Sequence, residues 1–236
     1  MMKYIDELDR RLVGDRPAVA EAQGGIKMIK VIMEHDERIN DIINKTEKIL
    51  AKKGYDNTSI ADIIKKVGIA KGTFYHYFNS KNELLDTIVD RILKEIWDQI
   101  DVIVANEESD AIAKVFGFFS VFRSIVQGRE KLFEDIHKEE NAHIHLKIEK
   151  KMYPAITPKF EKIIRQGIDE GVFDTKYPNE AATVIMVSIA ALTPTQEHFH
   201  KSIQREIDMA RVKIFFDLME RVLGAKPGLF MRNMKY

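Results

Sequence analysis

Residues 54–85, GYDNTSIADIIKKVGIAKGTFYHYFNSKNELL, interrupt a helical pattern so often that few folds can hold them. Ile60, Ile63, Ile64 and Val67 recur at three- and four-residue steps and give one apolar helix face. Ser59 with Asp62 has the spacing of a capping box at its start, and Gly68 stops it after about two turns. Ser80 with Glu83 has the same spacing and opens a long helix through Leu84, Leu85, Ile88, Ile92 and Trp97. Only a third short helix, from about Ala70 to Tyr77, fits between them. Helices this short are not stable alone, so they must bury their faces on one another. Upstream, Ile39, Ile42, Ile43, Thr46, Ile49 and Leu50 form a further amphipathic helix that ends at Lys52-Lys53-Gly54, as the helix dipole and a left-handed cap favour.

The same stretch puts Phe74, Tyr75, His76, Tyr77 and Phe78 in consecutive positions, although only one side of a helix can face a core. With Phe74 set toward the core, steps of about 100° place Ala70, Tyr77 and Phe78 within roughly 60° of it. Thr73 and Tyr75 stand at the flanks, and Gly72 and His76 point outward. A helix, a short glycine turn and a second helix make the helix-turn-helix unit, whose second member can lie in the DNA major groove. On this reading Lys71, Lys81 and the Tyr75 hydroxyl suit phosphate oxygens. Thr58 or Ser59 adds a phosphate contact where its helix presents free N–H groups. Thr73 and His76 are the candidates for base edges, and Gly72 lets the backbone come close.

Charge supports a local rather than a general attraction to nucleic acid. The 37 basic and 37 acidic residues cancel overall, yet between Lys45 and Lys81 eight lysines face only Glu47, Asp56 and Asp62. The chain has no cysteine, which excludes disulfides, zinc–cysteine sites and thiol nucleophiles and suits a reducing cytosol. Its start, MMKYIDELDRRLVGDRP, lacks the continuous apolar segment of an export signal, so a cytoplasmic location is expected. The longest uncharged run, AATVIMVSIAALTPTQ at 181–196, is shorter than the roughly 20 apolar residues of a membrane span and reads as a buried helix. His143 and His145 would point about 160° apart on a helix, so they and His198 with His200 read as solvated surface, and no metal is expected. No nucleophile motif, glycine-rich phosphate loop or pair of carboxylates argues for an enzyme or a cofactor.

Downstream the pattern stays helical. Ala111–Val126 is apolar nearly all round, Leu132, Phe133 and Ile136 make a short helix, and Ile144 to Ile168 stripe a long one containing Pro154 and Pro158. Pro178 starts the uncharged helix, and Ile203 to Leu218 stripe a last one stopped by Gly224 and Pro227. The fold class is all-α. The domain reading is an N-terminal extension (1–32), a three-helix helix-turn-helix domain (33–80), a larger helical domain (81–224) and a C-terminal tail (225–236). Phe116, Phe118, Phe119 and Phe122, with Trp97, Met152 and Tyr153 on neighbouring helices, suggest an apolar pocket. An aromatic stripe at helical spacing is more often plain core. Arg123 and the Tyr153 hydroxyl are candidates to orient a partly apolar small molecule there.

Residues 38–87 resemble the DNA-binding domain of TetR-family transcriptional regulators. They carry its Gly, Thr-Ser, Gly-Ile, Gly-Thr-Phe-Tyr-x-Tyr-Phe and Lys-x-x-Leu pattern, with Ile63-Ile64 where the family commonly has Ile-Ala. GIDEGVF (167–173) and YPNEAA (177–182) are more loosely similar to the end of its seventh helix and the start of its eighth. The resemblance implies a homodimer joined through the last two helices, a palindromic double-stranded DNA operator, and release of DNA when a small molecule in the second domain acts through the helix starting at Lys81. A constitutive or architectural DNA-binding protein is the alternative, and a helical enzyme a distant third.

Overall fold

The computed structural model describes residues 18–192 and 209–234, and the side chains of 36–138, 140–188, 210 and 212–234 among them. Every regular element in these residues is helical. The elements are α1 (Ala18–Lys53), α2 (Ile60–Val67), α3 (Lys71–Tyr77), α4 (Lys81–Ala105), α5 (Ala111–Val126), α6 (Glu130–Ile136), α7 (Ala142–Asp169), α8 (Pro178–Leu192), α9 (Met209–Leu223) and α10 (Leu229–Asn233). A single 3₁₀ turn, Glu139–Asn141, joins α6 to α7.

The chain divides into two units, Met1–Asn44 and Lys45–Tyr236. The described part of the first is the N-terminal portion of α1, in which Ile42 and Ile43 are buried. Helix therefore begins well before Ile39, where the apolar pattern starts, and it runs through Gly24 and Gly25.

The local signals place the short helices as expected. Ser59 and Asp62 form a full capping box at α2: the Ser59 hydroxyl accepts from the Asp62 N–H at 3.1 Å, and the Asp62 carboxylate accepts from the Ser59 N–H at 3.0 Å. Gly68 closes α2 in the left-handed region at φ 80°, where a side chain would be strained. At α4 only half of the second box forms. Ser80 accepts from the Glu83 N–H at 3.1 Å, while the Glu83 carboxylate takes the Asn79 N–H at 2.7 Å, one residue earlier.

In the larger unit α4 packs on α5 and α7, α5 on α7, and α7 on α8, which meets α9. Asp86, Asp90 and Asp101 of α4 pair with Lys147, Lys151 and Lys159 of α7, rising together along both helices, so the two helices run parallel. Helix α7 continues through Pro154 and Pro158. Of the α5 aromatics Phe118 is fully buried and meets Phe160 with ring centroids 4.8 Å apart, while Phe116, Phe119 and Phe122 are half-buried. No single helix among the described residues is long and apolar enough to cross a membrane.

The segment read as a tail contains α10. Phe230 is fully buried, stacks on Phe216 at 5.4 Å and meets Phe116 and Phe173 at 6.1 Å. The Glu220 carboxylate, itself buried, accepts from the Gly228 N–H at 2.6 Å and the Phe230 N–H at 2.9 Å. Tertiary contacts hold a five-residue helix that no periodic pattern could announce.

Candidate nucleic-acid interface

Helix α3 has one buried and one open side. Phe74 and Phe78 are buried, with ring centroids 6.0 Å apart, and Tyr77 and Thr73 are half-buried at the boundary. Lys71, Gly72, Tyr75 and His76 are exposed, Tyr75 to 45%. The angular reading thus holds from Gly72 to Tyr77, whereas Lys71, about 60° from Phe74 by the same count, is exposed at the start of the helix. Ala70, expected on the buried side, is exposed because it lies one residue outside the helix as its extended N-cap, where the helical step does not apply.

The crest is unusual in one respect. A Cβ added at Gly72 would meet nothing within 4 Å. Packing gives no reason for glycine there, and glycine costs a helix about 1 kcal/mol against alanine. An open, side-chain-free spot between Lys71 and Thr73 lets another molecule come close to the backbone.

The turn from Gly54 to Thr58 gives two of the candidate residues partners within the chain. Thr58 is buried, and its hydroxyl donates to the Gly54 carbonyl at 2.7 Å, so it has no donor to offer a phosphate. The Lys81 ammonium donates to the carbonyls of Tyr55 and Thr58, both at 3.0 Å, and lies 3.9 Å from the centroid of the Tyr55 ring. Lys81 ties the start of α4 to this turn instead of reaching outward. The Tyr55 hydroxyl adds a hydrogen bond to Asn82 Oδ1. Ser59 is exposed, but its hydroxyl also donates to Asp62 Oδ2 at 2.7 Å, which sets a carboxylate where a phosphate would have to approach. Hydrogen bonds from Ser59 and the charge of Lys53 hold the Asp62 carboxyl below its ordinary range.

Sequence reasoning missed a second set of residues on this turn. The Asp135 carboxylate, buried at the end of α6, accepts from the Asp56 N–H at 3.1 Å and pairs with Lys138. Lys138 also donates to Asp56 Oδ2 at 2.6 Å, and Asn141 Nδ2 donates to the Asp135 carbonyl at 2.7 Å. Burial works to raise the Asp56 carboxyl, yet hydrogen bonds from Lys138 and Asn141 outweigh it and leave the group below its ordinary value. A parallel link joins Glu47 of α1 to Arg91 and to Arg129 at 2.6 Å, and Arg129 reaches Glu95 at 3.0 Å. Partners 79 residues apart leave no local pattern to read.

Phe116 and Phe119 belong to one aromatic run, joined through Phe216 and Phe215, whose ring centroids lie 5.8 Å apart. Both are half-buried: Phe116 meets Phe216 and Phe230, and Phe119 meets Phe118, Phe160 and Phe215. Arg123 is exposed, and Met152 and Tyr153 are half-buried. Trp97 is half-buried, and its buried indole N–H has no protein acceptor among the described residues. His143 is exposed, and the His145 side chain, 41% exposed, lies with its ring 5.1 Å from that of His137; His198 and His200 lie outside the described residues.

Residues 42–88 match the family model described as bacterial regulatory proteins, tetR family, and residues 124–217 match a tetracyclin repressor-like C-terminal domain. An uncharacterized HTH-type transcriptional regulator of Bacillus subtilis (strain 168), YvdT, is 46% identical over 59 residues, which are 25% of this chain and 30% of that protein. The chain thus matches less than a third of the length of this curated relative. The fatty acid degradation regulator FadR from Bacillus halodurans has a similar fold, with TM-score 0.56 and 19% identity over 79% of this chain and 95% of that one. RolR in complex with resorcinol is similar at TM-score 0.54 and 19% identity, over 85% of this chain and 94% of that one.

Proposed function

The chain belongs to the tetR family of bacterial regulatory proteins, and from that membership we propose that it is a transcriptional repressor in the cytoplasm. As a homodimer it holds a palindromic operator, and a small, partly apolar effector releases it. The observation that carries this reading is the α3 crest: Lys71, Gly72, Tyr75 and His76 exposed on a helix whose other side is locked by Phe74 and Phe78. Lys71 and Tyr75 take phosphate oxygens, while Thr73 and His76 meet base edges.

Dimer formation is supported by apolar surface on the last two long helices. Val184 and Val187 of α8 and Ile214 and Leu218 of α9 are each about half exposed, on helices that pack together. A second copy covers them and makes a four-helix bundle. Two recognition helices related by that two-fold axis require half-sites about 34–36 Å apart, or a multiple of that spacing.

The effector reading rests on the apolar second domain and on the unpaired Trp97 donor, with half-buried Met152 and Tyr153 as further candidates to meet the molecule. An oxygen acceptor on the effector would satisfy that indole N–H. The resorcinol complex of RolR supports a small aromatic compound as the type of molecule.

Salt titration of binding to an operator duplex tests the division of roles. Affinity should fall steeply as salt rises, and Lys71→Ala should lower the slope of log K against log salt by about one for every sequence. Lys81→Ala should leave the slope unchanged and lower the thermal midpoint, because its ammonium serves the Tyr55 and Thr58 carbonyls. Salt-independent binding would remove the DNA reading, and a Lys81→Ala slope reduced like that of Lys71→Ala would restore Lys81 as a phosphate contact.

A further inference from the structure

We propose that Asp135 is a positioning residue for DNA recognition: it holds the Gly54–Thr58 turn against the α6–α7 corner and so couples effector-domain movement to α2 and α3 by a route that bypasses α4. This rests on the proposed DNA-binding function.

The turn is clamped from two sides. On one, Lys81 and Asn82 of α4 hold Tyr55 and Thr58. On the other, the Asp135 carboxylate receives the backbone N–H of Asp56, and Lys138 bridges the two carboxylates. Asn141 fixes the far end of the corner through the Asp135 carbonyl. The fit is close: Gly54 is buried at φ 79°, and a Cβ there would collide with Asp135 Oδ2. Only glycine lets the turn reach the carboxylate.

The turn leads directly into recognition. Three residues after Asp56, Ser59 caps α2, and α2 packs on α3. A shift of the α6–α7 corner therefore pulls on the backbone that starts the helix-turn-helix unit. Asp135 is not exposed to a ligand on the DNA side; it acts through Asp56. An exposed surface pair would contribute little, but this carboxylate is buried and receives a backbone N–H that would otherwise lose its partner.

Coupling between two sites is reciprocal, so DNA should be felt at the corner. The test is hydrogen exchange on the full chain with and without a duplex carrying the selected operator. In the wild type, DNA should raise protection of the amides at 130–141 as well as those of α3. In Asp135→Ala the increment at 130–141 should vanish, the Asp56 amide should exchange freely, and operator affinity should fall about five- to tenfold. Asp135→Asn keeps an acceptor for the Asp56 N–H and should recover most of the affinity. Should Asp135→Ala fail to fold, Lys138→Met removes the bridge at a more exposed position and should show a smaller loss of the same kind. Unchanged exchange at 130–141 when DNA binds, or an increment that persists in Asp135→Ala, would overturn the proposal. Absence of any DNA binding by the wild type would instead overturn the proposed function.

Discussion

Phe74→Ala should abolish operator binding and lower unfolding free energy by about 3–5 kcal/mol, the usual loss for a fully buried phenylalanine. The ring is the anchor of a helix only seven residues long, which has too few hydrogen bonds to persist without its packing. Phe78 and Tyr75 touch it at 6.0 and 5.4 Å, so removing it frees both neighbours as well. Chemical denaturation followed by circular dichroism measures the stability change, and a shift assay measures binding. The damage should be local: hydrogen exchange at α5 and α7 should stay slow when α3 exchanges freely. A variant that keeps wild-type stability and affinity would show that the crest does not depend on this mount.

Glu220→Ala should produce the second large effect, at the opposite end of the chain. Its carboxylate is buried and accepts two backbone N–H groups, and alanine would leave both without partners. Each orphaned group costs about 1–3 kcal/mol, which together with the freed Phe230 gives a loss of several kcal/mol. Glu220→Gln should recover only part of this, because its amide oxygen can accept from one N–H while its NH₂ faces the other donor. Thermal unfolding of the three proteins gives the order: wild type most stable, Gln intermediate, Ala least. Equal midpoints for Gln and wild type would mean that only one of the two bonds matters.

What the sequence revealed follows the range of the forces involved. Caps and turns act within a few residues, so Ser59 with Asp62 and Gly68 could be read directly. The buried side of α3 follows from helical periodicity, which correctly separated Phe74 and Phe78 from Tyr75 and His76. The sequence is least informative where a side chain has a choice of partners. Lys81 and Thr58 look like surface groups near DNA, but carbonyls of the Gly54–Thr58 turn capture both. Glu83 had two N–H groups in reach and took that of Asn79. Asp135 gave no signal, since its partner Asp56 comes from a distant part of the chain. The α5 aromatics were legible as apolar, but only the fold assigns Phe116 to the α10 cluster and Phe119 to Phe160 and Phe215.

The proposed function gives helix α3 two separable jobs: its crest is to read sequence, and its buried side, Phe74 and Phe78, is to hold the crest in place. Selection of duplexes from a random pool, by the wild type and by His76→Ala in parallel, puts the first of these to the test. The wild type should enrich an inverted repeat, with the two half-sites one helical turn or a multiple apart. His76→Ala should relax or alter preference at the same position of both half-sites, at a cost of about 1–3 kcal/mol for each base-specific interaction removed. A wild-type pool with no inverted repeat, or a His76→Ala pool with the wild-type motif at full strength, would show that the crest does not read sequence.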